Sequence, residues 1–228
     1  MKTMALILGG GSGTRMGADR NKVFMPICGI PAIVRAAAPF TGICAGAVIV
    51  AQPDEMDMME TAVRQFGLSR FVHAIIPGGE TRQDSVWNGL QALPEDADIV
   101  MIHDGARALV TEDIIHRALQ SAIEHGSGVA SVAVSDTVKR VGENNRVLET
   151  LDRSFLRAMQ TPQAFRVEII QKAHKMAKQD GFLGTDDAAL LEHAGMPVFV
   201  TEGSRRNIKL TTAFDMLLAR VILEDEDP

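Results

Sequence analysis

Cysteine is scarce in this chain: Cys28 and Cys44 are its two, and neither stands in a CxxC or Cys/His ligand spacing. That excludes a disulfide framework or a structural zinc and points to reduced thiols. Long apolar runs are also missing, since none approaches the ~20 residues that cross a bilayer. The opening ten residues run straight into a glycine loop, without the longer apolar region and small-residue cleavage site of a signal peptide. They read as a first strand, and the expected location is the cytoplasm, away from membranes. A basic excess is absent as well. The net charge is −6 and an acidic stretch spans Glu224 to Asp227, so no global positive field is present to hold nucleic acid. Any anionic ligand must meet locally placed cations, which makes the arginines and lysines of the loops informative.

What is present fits one globular domain covering 1–228. Hydrophobic residues make up 46% and charged residues 23%, ordinary proportions for a chain with its own core. Short apolar runs bounded by Gly, Pro and Asp predict strands at Met4 to Leu8, Ala47 to Ala51, Phe71 to Ile76, Ile99 to Ile102 and Val129 to Val134. Between them, Ile114, Ile115, Ala118, Leu119, Ala122 and Ile123 share one helical face, with Thr111 placed to cap it. Strands alternating with helices imply an α/β fold built from parallel βαβ units, with ligands at the carboxyl ends of the strands. From Asp136 to Arg153 the pattern changes to polar, β-prone residues around a Gly142-Glu143-Asn144-Asn145 turn, which predicts a projecting hairpin. The stripe Phe214, Leu217, Leu218, Val221 and Ile222 within 212–224 reads as core packing.

The loop after the first strand is Gly9-Gly10-Gly11-Ser12-Gly13-Thr14-Arg15-Met16-Gly17, and Lys22 lies seven residues beyond Arg15. Glycines let backbone N–H groups approach phosphate oxygens, while Arg and Lys add charge-assisted hydrogen bonds. The plainer alternative is a surface loop with two solvated cations. A Walker loop is excluded because no Gly-Lys-Ser/Thr follows. A dinucleotide fingerprint fits poorly: Met16 breaks the GxGxxG, and the second strand ends late, at Ala51 and Gln52, without a ribose-binding acid. An NAD-dependent oxidoreductase therefore survives only as a minor reading.

GGGSGTRMG followed by Asn21-Lys22-Val23-Phe24 resembles the signature of nucleotidyltransferases that activate sugars and polyols. Later segments narrow the resemblance to the methylerythritol phosphate cytidylyltransferase family. They are Gly78 to Val86, His103-Asp104-Gly105-Ala106-Arg107, Asp136 to Arg140, Leu151-Asp152-Arg153, Thr161-Pro162-Gln163, Thr185-Asp186-Asp187 and Asn207-Ile208-Lys209, in family order. The resemblance implies a Rossmann-like, mostly parallel sheet flanked by helices, with a β-arm at about 136–153. It also implies transfer of CMP from CTP to a polyol phosphate with release of pyrophosphate, in isoprenoid precursor synthesis. Arg15 and Lys22 would stabilise the reacting α-phosphate. Gly10, Gly11 and Gly13 would cradle the CTP phosphates, and Gly79, Glu80 and Ser85 would surround the cytosine. Asp104, Arg107, Thr137, Arg153 and Lys209 would hold the polyol phosphate. Magnesium would accompany the triphosphate, with Asp104 as the carboxylate offered to the metal. The arm would make a homodimer and complete the partner's site.

Several of these residues have structural readings of their own. Ser85 also fits the first turn of a helix from Gln83 to Leu93, Asp104 a strand-end turn, and Thr137, Arg153 and Lys209 a solvated surface. His103 reads as packed or orienting, since no second ligand has partner spacing. The chain also departs from the family pattern: Asn21 stands where a proline is common, Val23-Phe24 follow the lysine, Gly105 replaces the first alanine of HDAAR, and Ala108 replaces a proline. A ribitol phosphate cytidylyltransferase is the rival within the class. A catalytically silent nucleotide-binding protein would not need to keep Arg15, Lys22, Arg153 and Lys209.

Overall fold

The structure, a computed structural model, describes residues 1–10 and 21–225. Arg15, Gly11 and Gly13 lie outside the described residues. Eleven described strands are β1 (Thr3–Leu8), β2 (Pro26–Ile27), β3 (Ile30–Pro31), β4 (Gly46–Ala51), β5 (Val72–Pro77), β6 (Ile99–Asp104), β7 (Ser127–Ala133), β8 (Lys139–Val141), β9 (Val147–Thr150), β10 (Arg157–Arg166) and β11 (Val200–Glu202). The described helices are α1 (Ala32–Ala37), α2 (Met56–Gln65), α3 (Arg82–Gln91), α4 (Glu112–His125), α5 (Val167–Gln179), α6 (Asp187–His193) and α7 (Ala213–Glu224). Seven strands form one sheet in the order β11-β7-β10-β6-β1-β4-β5. All neighbours in it are parallel except β10, which runs antiparallel to both β6 and β7.

The five apolar runs read from the sequence are β1, β4, β5, β6 and β7, with ends moved by a residue or two. β1, β4 and β6 are buried at every position, as expected for parallel strands covered on both faces. Their alternation divides two cores. Ala5, Ile7, Ile49, Ile99 and Met101 face the layer of α1, α2 and α4, whereas Leu6, Leu8, Val48, Val100 and Ile102 face α3, α5 and α6. A third cluster joins Ile27, Ala108, Leu210, Met216 and Ala219 beneath α7.

Helix ends follow local chemistry. Thr81 accepts from the backbone N–H of Asp84 and Asp84 reciprocates, a capping box that starts α3. Thr111 occupies the cap position of α4 but makes no side-chain cap bond. Gly126, at φ 88°, ends that helix by donating to the Ala122 carbonyl.

Two expectations require correction. β10 was not foreseen as a strand, because Arg157–Arg166 carries Gln160, Thr161 and Gln163 around a proline rather than an apolar run. Proline cannot donate to a ladder and belongs at bulges, and the β7 register shifts between Met159 and Gln163. Most of the α7 stripe is not core, and of its five residues Ile222 packs against the third cluster. Phe214, Leu217 and Val221 are 70%, 59% and 61% exposed, while Met216 and Ala219 face inward.

The projecting hairpin is present as β8 and β9, paired Lys139 with Thr150 and Arg140 with Glu149. Asn144 and Asn145 both take φ 59° at its turn, a left-handed conformation that asparagine tolerates better than most residues.

Candidate active site

Parallel strands put their carboxyl ends on one edge, and three loops converge there. Leu8 pairs with Asp104 across β1 and β6, so Gly9 and Gly10 emerge beside the Asp104 turn. Gly78 follows β5 and is held by its N–H to the Ala51 carbonyl at 2.8 Å.

Asp104 is the centre of this edge. Being at an even position on β6, it points to the same side as Val100 and Ile102, where α3 and α6 begin. Lys209 Nζ lies 2.7 Å from its Oδ2, and Arg82 Nη2 lies 3.5 Å from its Oδ1. Burial alone would raise the carboxyl's pKa, but Arg82 and then Lys209 outweigh it and hold it well below the usual carboxylate range. Arg107 adds a third cation. Its Nη1 donates to the Asn207 carbonyl at 2.7 Å, and burial lowers its pKa, partly offset by Asp104. The Arg107 Nε and the Asn207 Oδ1 are buried without a hydrogen-bond partner, which leaves two polar atoms beside the site for a ligand or water to satisfy.

The Asp104 backbone is fixed from beneath. Its N–H donates to Thr161 Oγ1 at 3.0 Å, so the threonine hydroxyl gives its own proton to His103 Nδ1, also at 3.0 Å. The other ring nitrogen then carries hydrogen and donates to the Arg107 carbonyl at 3.1 Å. His103 is fully buried against Phe40, and burial lowers its pKa to about 4. It is a neutral orienting residue, as the lack of any partner ligand suggested.

Lys22 opens a short 3-10 helix, Lys22–Phe24, and the residue before it sets its place. Asn21 is buried, donates to the Gly9 carbonyl at 2.9 Å and to Glu55 Oε2 at 2.7 Å, and accepts from the Val23 N–H. Three side-chain bonds do here what a proline would do by ring stiffness.

In the segment Gly78 to Val86, Gly79 donates its N–H to Ser85 Oγ at 3.0 Å, and that hydroxyl donates to the Thr81 carbonyl at 2.9 Å. A Cβ on Gly79 would lie 2.4 Å from the Asp84 Cβ, so the turn admits glycine alone. Ser85 thus shapes the loop from within the first turn of α3, and Glu80 is exposed beside it.

Thr137 and Arg153 sit at the base of the arm. Arg153 Nη1 donates to the Ser135 carbonyl, and no hydrogen bond joins either residue to the Asp104 cluster among the described residues. The structure therefore gathers Asp104, Arg107 and Lys209 and puts Lys22 and Gly10 on adjoining loops, while Arg153 bonds within the arm's own base. A cleft of about 690 Å³ lined by Ser131, Arg157, Thr201, Gly203 and Arg205 contains none of the Asp104 cluster.

Four residues of the site carried no individual role in the sequence reading: Arg82, Thr161, Asp187 and Asn207. Each lies in a segment recognised there: Thr161 is a polar residue inside β10, Arg82 and Asp187 open α3 and α6, and Asn207 is a buried residue of the loop after β11. Among the described residues no three Asp, Glu, His or Cys side chains gather to hold a metal, and Lys209 already occupies Asp104 Oδ2. This donor set suits a hard cation that arrives on phosphate oxygens and water.

Comparison with known proteins agrees with the geometry. Residues 3–225 match the family 2-C-methyl-D-erythritol 4-phosphate cytidylyltransferase. A relative of that name from Geobacillus thermodenitrificans is 45% identical over 98% of this chain and 97% of its own. Another from Pelotomaculum thermopropionicum is 41% identical over 98% and 94%. The crystal structure of 2-C-methyl-D-erythritol 4-phosphate cytidylyltransferase from Thermus thermophilus superimposes with a TM-score of 0.80 at 27% identity, covering 98% of this chain and all of that one. A 4-diphosphocytidyl-2C-methyl-D-erythritol synthase from Anaerococcus prevotii, 24% identical, shares the fold with a TM-score of 0.86 over 98% of each chain. The strand-edge cluster and these matches along nearly the whole sequence lead to one conclusion: the chain belongs to the 2-C-methyl-D-erythritol 4-phosphate cytidylyltransferase family.

Proposed function

We propose that the Asp104 edge is the reaction centre of a cytidylyltransferase that joins 2-C-methyl-D-erythritol 4-phosphate to CMP from CTP. A phosphate oxygen of the polyol phosphate attacks the α-phosphorus of CTP in line, the bond to the β-phosphate breaks, and pyrophosphate leaves. The observation that carries this reading is the carboxylate at a strand end with Lys209, Arg82 and Arg107 around it, next to a glycine loop and Lys22. Transfer of this kind requires positioning and charge neutralisation more than covalent chemistry.

In this reading Lys22 and Arg15 meet the charge that develops on the α-phosphate, and Gly10, Gly11 and Gly13 offer backbone N–H groups to the triphosphate. Gly79, Glu80 and the Ser85-braced turn surround the cytosine. Asp104 accepts from the polyol hydroxyls, while Lys209 and Arg107, with Thr137 and Arg153 from a partner's arm, hold the phosphate. Magnesium, carried on the triphosphate, supplies further charge neutralisation. The working unit is a homodimer joined through the arms, and the reaction runs in the cytoplasm, in isoprenoid precursor synthesis. No helix among the described residues is long and apolar enough to cross a membrane.

The test is pyrophosphate release with CTP, UTP or ATP, each paired with methylerythritol phosphate or ribitol 5-phosphate. Turnover with CTP and methylerythritol phosphate is expected. Equal rates with UTP or ATP would refute the cytosine pocket, and preference for ribitol 5-phosphate would move the assignment to the cell-wall polyol.

A further inference from the structure

Arg82 stands between two carboxylates. Its Nη2 is 2.8 Å from Asp187 Oδ2 and 3.5 Å from Asp104 Oδ1. Asp187 has a side chain only 1% exposed, and Arg82 is the ion-pair partner of its carboxylate among the described residues. The α6 end that bears it is firmly set. Asp186 caps α6 through the Ala189 N–H at 2.9 Å and accepts from Gln163 at 2.8 Å, and Gln163 accepts from the Ala188 N–H at 3.0 Å. Gln83, next to Arg82, bonds the Phe182 carbonyl and the Gly184 N–H. Both ends of the Arg82–Asp187 pair are therefore mounted on a rigid junction between α3, α6 and β10.

A guanidinium beside two carboxylates goes to the one that holds it in better geometry, and as a planar fork it can take both oxygens of one acid. If Asp187 did not hold it, two carboxylates would remain: Asp186, which also acts on Arg82 but whose oxygens are taken by Gln163 and the Ala189 N–H, and Asp104, already 3.5 Å away. A bidentate Arg82 on Asp104 would evict Lys209 from Oδ2. We propose that Asp187 is a positioning residue for the polyol phosphate half of the site: it restrains Arg82 so that the Asp104 carboxylate stays open to Lys209 and to substrate. The assignment of Asp104 and Lys209 to the polyol phosphate rests on the function proposed above. The restraint itself does not.

The experiment has two arms on the full-length enzyme, with Asp187→Asn and the double variant Arg82→Gln/Asp187→Asn. In the first, lysines of the unliganded protein are acylated and followed by mass spectrometry. Acylation of Lys209 is expected to quicken in Asp187→Asn while the other lysines keep their rates, and to return to the wild-type rate in the double variant, where no guanidinium is left to evict it. In the second, the KM for methylerythritol phosphate is expected to rise ~10-fold in Asp187→Asn, with the KM for CTP within about twofold of wild type. A merely structural role predicts a lower melting temperature and a lower kcat with both KM values kept. That result, or unchanged Lys209 labelling, would overturn the proposal. Should the wild-type enzyme show no cytidylyl transfer, the functional reading fails while the labelling arm still decides the restraint. Should Asp187→Asn not fold, Asp187→Ser takes its place: faster Lys209 labelling there, absent in Arg82→Gln/Asp187→Ser, supports the restraint, and an unchanged rate in Asp187→Ser overturns it.

Discussion

A Cβ on Gly105 would lie 2.4 Å from Ile33 Cδ1 and 2.9 Å from the Leu8 carbonyl oxygen. Where the family pattern has alanine, this chain has a glycine because α1 presses a large Ile33 against the strand end. The same Gly105 N–H is held at 2.9 Å by that Leu8 carbonyl, so the turn cannot back away. Gly105→Ala is expected to cost about 1–3 kcal/mol through overpacking. Adding Ile33→Val should recover part of that loss in chemical denaturation, since the Leu8 contact remains. The cysteines form a second contrast at this scale. Cys44 is buried, and burial pushes its thiol up to about 12, whereas Cys28 is exposed in the turn between β2 and β3. A thiol reagent should therefore modify Cys28 alone in the native protein and both cysteines in denaturant.

Among the elements, α7 shows how far one helix can separate composition from burial. Its inner row, Met216 and Ala219, packs over Ile27, Ala108 and Leu210, and its outer row of Phe214, Leu217 and Val221 meets solvent in the single chain. Met216→Ala should cost ~2–5 kcal/mol, whereas Phe214→Ser should change the unfolding free energy by less than about 0.5 kcal/mol, both read by urea titration. The arm poses the complementary problem. Val141, Val147 and Leu148 are each more than half exposed on a two-stranded hairpin, an element that is marginal alone in water. If it completes a partner's site, mixing a Lys22→Ala chain with an Arg153→Ala chain after dissociation should regenerate one intact site per heterodimer. Random pairing would then give about a quarter of wild-type activity from two nearly inactive parents. Proven heterodimers without recovery would assign the arm to its own subunit.

At the scale of the whole molecule, two buried histidines set the acid limb of stability. Burial lowers the pKa of His103 to about 4 and that of His174 below its ordinary value. The unfolded chain, with histidines near 6.5, therefore takes up these protons first as the pH falls. Their contribution is complete above about pH 6.5 and is lost on acidification, for His103 down to about pH 4. Unfolding free energies measured between pH 8 and pH 4.5 should fall below about pH 6.5. His174→Leu should make that fall shallower, because it removes a ring whose Nε2 is buried without a partner. A constant stability across this range would contradict the neutral, buried state of both rings.

The strand-and-helix alternation, the strand-edge position of Asp104 and the hairpin turn at Asn144 and Asn145 were all legible in the sequence, because period, turn residues and breakers act locally. So was the departure at Asn21, though not its consequence: only the fold brings Gly9 and Glu55 within reach of its amide. β10 escaped because its interior positions are satisfied by hydrogen bonds with Asn207, Asp104 and Asp186 rather than by apolar packing. The α7 stripe misled because period alone states that one face is apolar, and not whether anything covers it. The resemblance grouped Arg107 and Lys209 with Asp104, but the contacts among these charges, and the roles of Arg82 and Asp187, were beyond reach for the same reason. Arg82, Asp187 and Lys209 are 22, 83 and 105 residues from Asp104 in the chain, and their pairing distances come from the parallel stacking that ends β6 between α3 and α6. The sequence by itself determined most of the strands and helices, β10 excepted, since those follow from neighbours a few residues apart. Which cation faces which carboxylate was decided only by the tertiary structure, because Coulomb forces in a packed interior depend on ångström-scale distances between residues that the chain order leaves far apart.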